Sequence, residues 1–212
     1  MATDEQRITS TENGPYKVDG VEVVNAAGET VHTQGSAYLC RCGGSSKKPF
    51  CDGTHNKNGF VGTEVADRGP IADRRDAYDG DGITIYDDRS VCAHIGRCTD
   101  GLPAVWKLGT EPWIDPEGAS ADEIAAVVHQ CPSGVLAYAR PGSAEPVEEE
   151  LEVKMVASKD GPYFVRGGVQ VASPDGSSYE RRNRQALCRC GGSKNKPFWG
   201  GTHWSIDFKD PA

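Results

Sequence analysis

No apolar run in the chain approaches the roughly 20 residues that a transmembrane helix needs, which argues against a membrane span. The opening Met-Ala-Thr-Asp-Glu-Gln-Arg is polar and lacks the apolar core of a secretory signal. Basic residues are in short supply. The chain has 23 Lys and Arg against 31 Asp and Glu, a formal net charge of -8, and this argues against nucleic acid, whose phosphates are held by Lys and Arg. Apolar residues make up only 37% of 212, thin for one large core, so small units supported by metal centres are expected instead. No nucleophile elbow, glycine-rich dinucleotide fingerprint or phosphate-binding loop is present. An enzyme therefore ranks behind a redox protein, and any catalysis would have to occur at a metal centre.

What the chain does have is glycine, proline and cysteine. The 26 Gly and 13 Pro point to a loop-rich chain, and 8 Cys without a signal segment fit a reducing, cytoplasmic setting better than a disulfide scaffold. Three of those thiols and one imidazole fall between Cys40 and His55, in Cys-Arg-Cys-Gly-Gly-Ser-Ser-Lys-Lys-Pro-Phe-Cys-Asp-Gly-Thr-His. Cys40 and Cys42 can turn both sulfurs toward one ion, while Cys51 and His55 return as a second pair. Two pairs suggest two metal ions. Thiolate ligands favour iron–sulfur clusters, zinc or cuprous copper, and imidazole in place of a thiolate raises a cluster's potential. Zinc knuckles use the same ligand types but space their first pair by two to four residues.

The pattern C-x-C-x2-S-x3-P-x-C-D-G-T-H resembles the CDGSH iron–sulfur family, the mitoNEET-like proteins, at every defining position. The resemblance implies a 2Fe-2S cluster, with Cys40 and Cys42 on an inner iron and Cys51 and His55 on an outer one. It also implies that Ser45 and Asp52 support the cluster, through a hydroxyl or backbone N–H aimed at sulfur.

An internal repeat is visible as well. Gly14-Pro15-Tyr16, followed by Val18, Val21 and Val23, recurs as Gly161-Pro162-Tyr163, followed by Val165, Val169 and Val171, and each copy runs into Leu-Cys-Arg-Cys-Gly-Gly-Ser. The alternation predicts short strands ahead of each cysteine loop, with a short helix after each Thr-His. In the second copy Cys188, Cys190, Ser193, Pro197 and His203 are kept, but Trp199 stands for the third cysteine and Gly200 for the aspartate. This copy is expected to be degenerate and empty, kept for its fold. The alternative is a three-ligand cluster or a single metal at Cys188, Cys190 and His203.

Between the copies, Ile83-Thr84-Ile85-Tyr86 reads as a strand and residues 121–130 as a helix. Ser120 and Glu123 form that helix's capping box, and Ile124, Val127 and Val128 its apolar face. Cys92 and Cys98 precede the helix and Cys131-Pro132-Ser133-Gly134 follows it. This C-x5-C with a remote Cys-Pro resembles single-cluster ferredoxins in which Ile95 has replaced one cysteine, the divergent mono-cluster family. Three thiolates, Cys92, Cys98 and Cys131, suit a 3Fe-4S cluster. A 4Fe-4S cluster would need another ligand, for which His94 is the nearest candidate. The bland alternative is three free buried cysteines. His32, assigned to a turn, and His129 on the helix are read as structural.

The expected fold class is α+β: two small β-rich, loop-dominated units at 1–66 and 147–212 flanking a ferredoxin-like insert at 67–146, with the acidic run from Glu145 to Glu150 as a linker. Arg181 to Arg184 is expected to form an exposed loop. By resemblance the two copies pair within one chain, exchanging strands, so that a monomer suffices. The expected function is electron carriage between redox partner proteins, with transfer of the cluster to an apo-acceptor protein, or redox and pH sensing, as the alternative.

Overall fold

The computed structural model describes residues 1–143 and 145–210. The chain divides into two compact units, one made of Met1–Gly69 together with the segment from Glu150 onward, the other of Pro70–Glu149. The first is built of short strands and 3-10 turns, the second of three strands with short helices, and the chain as a whole is α+β and rich in strands. The two repeat copies, expected as segments 1–66 and 147–212, thus lie in one unit. No helix among the described residues is long and apolar enough to cross a membrane.

The first copy supplies β1 (Arg7–Ser10), β2 (Tyr16–Asp19), β3 (Glu22–Val24), β4 (Thr30–His32) and β5 (Ser36–Leu39). In the middle unit β6 (Asp76–Gly80), β7 (Ile83–Asp87) and β8 (Leu136–Ala139) form an antiparallel sheet in that order. The second copy supplies β9 (Lys154–Ala157), β10 (Tyr163–Arg166), β11 (Gln170–Ala172) and β12 (Arg184–Leu187).

The copies trade strands. One sheet runs β11-β1-β2-β5 and the other β12-β10-β9-β3-β4. Within each copy the pairing is antiparallel, with Ile8 opposite Val18 and Tyr16 opposite Leu39 in the first, and Tyr163 opposite Leu187 in the second. The exchanged strands run parallel, Ile8 beside Val171 and Val23 beside Met155. Period-two alternation places Ile8, Tyr16, Val18 and Val23 inside with Met155, Tyr163, Val165 and Val171, all fully buried or nearly so. Side chains of this kind contribute roughly 1.5–3 kcal/mol each on burial.

Three expectations need correction. His32 lies in strand β4 and not in a turn. Arg181–Arg184 is not an exposed loop: Arg182 and Arg184 are buried, Arg184 opens β12 opposite Arg166, and the Arg182 guanidinium lies 6.0 Å from the Phe198 ring centre. An arginine stem covers apolar surface readily, so a basic run does not by itself mean exposure. The helical turns expected after each Thr-His are 3-10 turns that include it, at Thr54–Asn56 and Thr202–Trp204.

In the middle unit α1 (Ile71–Arg74) precedes the sheet, α2 (Arg97–Gly101) carries Cys98, and α3 (Ala121–His129) packs on β8 and α2. Ser120 caps α3 by accepting from the Glu123 N–H, while the Glu123 carboxylate accepts from the Ser120 N–H at 3.0 Å. Ile124, Ala125, Val127 and Val128 are its buried face.

Candidate metal centres

The first cysteine loop is two arms tied together. Cys40 N–H donates to the Pro49 carbonyl at 2.7 Å and Cys51 N–H to the Tyr38 carbonyl at 2.8 Å. The Cys40 and Cys42 sulfurs lie 3.9 Å apart, and the Cys51 sulfur lies 3.4 Å from His55 Nδ1. Two thiolates held tetrahedrally at about 2.3 Å from one metal are roughly 3.8 Å apart, and a thiolate and an imidazole roughly 3.6 Å. Each pair therefore has the bite of half a tetrahedral site, and the donor set fits two irons bridged by sulfide. Cys40 is buried, whereas Cys42, Cys51 and His55 are partly exposed.

The loop is built to carry negative charge on sulfur. The Gly44 N–H points at Cys42 Sγ at 3.4 Å, the Asn58 side chain donates to the same sulfur, and the Ser45 and Gly43 N–H groups face Cys40. Within the pair the hydrogen bond between the thiols pulls Cys42 down and pushes Cys40 up, and burial adds to the rise at Cys40. Ser45 and Asp52 act differently from one another. The Ser45 hydroxyl donates to the Phe50 carbonyl at 2.7 Å, so its contribution to sulfur comes from its backbone N–H. Asp52 accepts from the Thr54 hydroxyl at 2.7 Å, the Thr54 N–H at 3.1 Å, the Ser46 N–H at 2.9 Å and the Ser46 hydroxyl at 3.0 Å. The Thr54 hydroxyl first, then the backbone donors, hold its carboxyl well below the usual range. Asp52 thus ties the two arms and keeps its oxygens engaged with the loop.

The second loop repeats the frame with Trp199 at the third cysteine position. The Cys188 and Cys190 sulfurs are 3.8 Å apart, both residues are buried, and the thiol hydrogen bond lowers Cys188 while raising Cys190. Trp199 is buried where the third cysteine would be, its indole 4.4 Å from the His203 ring, which Trp204 flanks on another side at 4.5 Å. Burial lowers the His203 pKa, and neither its Nδ1 nor Trp199 Nε1 has a hydrogen-bond partner. The imidazole is stacked among indoles rather than paired with a sulfur.

In the middle unit Cys92, Cys98 and Cys131 line one small pocket of about 30 Å³. Burial pushes Cys92 up and raises Cys98 to about 11, and each is raised further by the charge of Cys131. The His94 N–H points at Cys92 Sγ at 3.4 Å from a left-handed backbone with φ 53°, and its side chain is exposed. Ile95 lines the same pocket in place of a ligand. His129 bonds the Glu149 carboxylate at 2.8 Å and leans on Tyr138.

Four residues beside the loops escaped the motif. Arg41 and Arg189, the middle residues of the two C-x-C sequences, are buried, with guanidinium groups over Tyr16 and Tyr163 at 5.3 and 5.0 Å. Those tyrosines occupy the same place in each Gly-Pro-Tyr lead-in, and that recurrence was the available signal.

The family described as iron-binding zinc finger, CDGSH type, matches residues 13–56 and 160–204, and the one described as divergent 4Fe-4S mono-cluster matches 78–141. Two curated relatives, both named uncharacterized protein YjdI, come from Escherichia coli strain K12 and Escherichia coli O157:H7. Each is 34% identical over 61 residues, covering 29% of this chain and 80% of the relative. No solved structure matches. The chain thus carries two CDGSH-type iron-binding regions flanking a divergent 4Fe-4S mono-cluster region. It is an iron–sulfur protein.

Proposed function

We propose that the protein is an electron carrier with a 2Fe-2S cluster at Cys40, Cys42, Cys51 and His55 and a second cluster at Cys92, Cys98 and Cys131. The observation that carries this reading is the pairing in the first loop, where 3.9 Å between thiols and 3.4 Å between thiol and imidazole suit two irons with two protein ligands each. Bound there, the cluster supplies one-electron chemistry. Cys40, Cys42, Cys51 and His55 would together hold the cluster and leave no open position for a substrate, which favours electron transfer over catalysis. Cys40 and the N–H groups around it hold the inner side, while the partly exposed Cys51 and His55 offer the face for a redox partner protein.

In the middle unit the apolar Ile95 favours 3Fe-4S over 4Fe-4S, since three thiolates serve three irons and the exposed His94 side chain is not paired with a sulfur. Anaerobic purification followed by iron and sulfide analysis, visible absorption and electron paramagnetic resonance tests the whole assignment. Cys131→Ala should remove the paramagnetic signal of the oxidised middle cluster and leave the 2Fe-2S absorption in place. A colourless anaerobic preparation with stoichiometric zinc would overturn it.

A second reading, transfer of the 2Fe-2S cluster to an apo-acceptor, draws on the partial exposure of Cys51 and His55. An acceptor that gains iron and sulfide faster than it gains electrons would favour it.

A further inference from the structure

The second copy lacks the third cysteine of the motif, yet it reaches the first loop. The Tyr163 hydroxyl, on β10, lies 2.9 Å from the Cys40 carbonyl and 3.0 Å from the Pro49 carbonyl, and donates its one proton between them. These carbonyls belong to the two arms of the first loop. One arm carries Cys40 and Cys42, the other leads to Cys51, and Cys40 N–H to Pro49 already links them at 2.7 Å. Tyr163 is fully buried, its ring packed edge-on to Tyr16 at 6.1 Å. The Arg189 guanidinium caps its face and interacts electrostatically with Cys40, while Asp210 pairs with that guanidinium and offsets its charge. The uncompensated contribution is the hydroxyl dipole, whose positive end meets the backbone of a cluster ligand in a fully buried position. A fixed positive dipole there favours the more negative, reduced form of the cluster.

We propose that Tyr163 of the second copy is a positioning residue for the 2Fe-2S cluster of the first, holding the two ligand arms in register and raising the cluster's reduction potential. The repeat provides a matched control. Tyr16 makes the same bonds in the opposite sense, to the Cys188 carbonyl at 3.0 Å and the Pro197 carbonyl at 2.9 Å, with the same burial and with Arg41 over its ring. Its hydroxyl faces the loop in which Trp199 stands for the ligand. The two phenols are equivalent in packing and opposite in what they support.

The inference rests on the two-iron reading of the first loop, and iron and sulfide analysis of the full-length wild-type protein beside Cys51→Ala separates the two. If Cys51→Ala loses no iron or sulfide, that reading fails. If the wild type holds the cluster, redox titration and the rate of cluster loss are measured for Tyr163→Phe and Tyr16→Phe. Tyr163→Phe should lower the 2Fe-2S potential and speed cluster loss about fivefold, the factor that a typical net hydrogen bond makes in an equilibrium. Tyr16→Phe should lower thermal stability by a similar amount and leave the potential unmoved. Equal shifts in both variants, or no shift in either, would overturn the proposal. Should Tyr163→Phe fail to fold, wild-type protein with isotope-labelled tyrosine Cζ gives the same reading by nuclear magnetic resonance, with signals assigned through Tyr16→Phe. The Tyr163 signal should move on cluster reduction and the Tyr16 signal should not; the reverse, or equal movement, would overturn it.

Discussion

In the first cysteine loop Cys51 donates its N–H to the Tyr38 carbonyl at 2.8 Å; in the second Trp199 donates to Ala186 at the same distance. Ser45 and Ser193 each close a turn on a phenylalanine carbonyl at 2.7 Å, and Lys48 and Lys196 reach the carbonyls of those serines at 2.7 and 2.8 Å. The frame is common to both copies. The differences fall on the third cysteine position and on side chains that brace the loop and its sulfurs. Trp199 replaces Cys51, Gly200 replaces Asp52, and Ile206 replaces Asn58, the donor to Cys42. A loop can thus lose a third ligand, the carboxylate tie and a sulfur donor while keeping its backbone, because backbone hydrogen bonds and cross-copy packing specify the path independently of the metal.

The largest test of that contrast is deletion of the third ligand. Cys51→Ala should abolish the 2Fe-2S absorption outright, whereas Trp199→Ala should leave iron and sulfide content unchanged, since alanine relieves bulk without adding a thiolate. A cluster surviving in Cys51→Ala would mean that the first loop is not the site.

Next in size is the gain. Trp199→Cys should add about one two-iron cluster per chain, because Cys188 and Cys190 already have the bite of a tetrahedral pair. With Ile206 beside the loop instead of an amide donor, that added cluster should be shorter-lived than the native one, and Gly200→Asp with Ile206→Asn should lengthen its life. A folded Trp199→Cys protein with unchanged iron would show that the frame itself has drifted out of use.

The interface between the loops gives a third, symmetric test. Cys42 and Cys190 form an antiparallel bridge, and Gly43 and Gly191 both have φ 77°. A Cβ on Gly43 would lie 2.6 Å from the Cys190 carbonyl oxygen, and one on Gly191 2.7 Å from that of Cys42. Gly43→Ala and Gly191→Ala should each cost more than the ~1–2 kcal/mol of left-handed strain alone. Gly28→Ala, with φ 82° and no atom near the added Cβ, should cost only that strain. Thermal melts in which Gly28→Ala is the most damaging of the three would contradict the back-to-back packing.

The smallest effect is expected at Asp52. Its carboxyl is depressed, so the loop contribution is present above the ordinary aspartate range and fades as pH falls through the lowered value. Asp52→Asn should therefore speed cluster loss modestly at neutral pH, and the difference from wild type should shrink in acid. A difference that grows on acidification would contradict this sign.

Much of this was legible because the chain repeats itself. Gly-Pro-Tyr and the valines after it marked strands by period-two alternation, the Ser120 and Glu123 pair marked the start of α3, and C-x-C spacing marked the sulfur pairs. What the motif could not indicate was direction. Of the two groups with which Ser45 could face sulfur, the backbone N–H faces Cys40 while the hydroxyl closes a turn on Phe50. Arg182 and Arg184 looked like surface because charge patterning does not register aromatic neighbours such as Phe198. Arg41 and Arg189 escaped notice for the same reason, since only the fold sets them over Tyr16 and Tyr163.

The parallel pairing of β3 with β9 and of β11 with β1 also fixes an order of events during synthesis. The ribosome delivers the first copy complete with its cysteine loop while its partner strands are still unmade, and the whole middle unit emerges before Lys154 does. Until then β1 and β3 lack their parallel neighbours, and the Cys40 carbonyl lacks the Tyr163 hydroxyl. Pairing at such sequence separation is slow, because a long loop must close before any contact rewards it. The nascent first loop therefore spends its early life open at the edge and exposed to aggregation, with thiols that can meet iron, oxygen or a chaperone before the second copy arrives to close it.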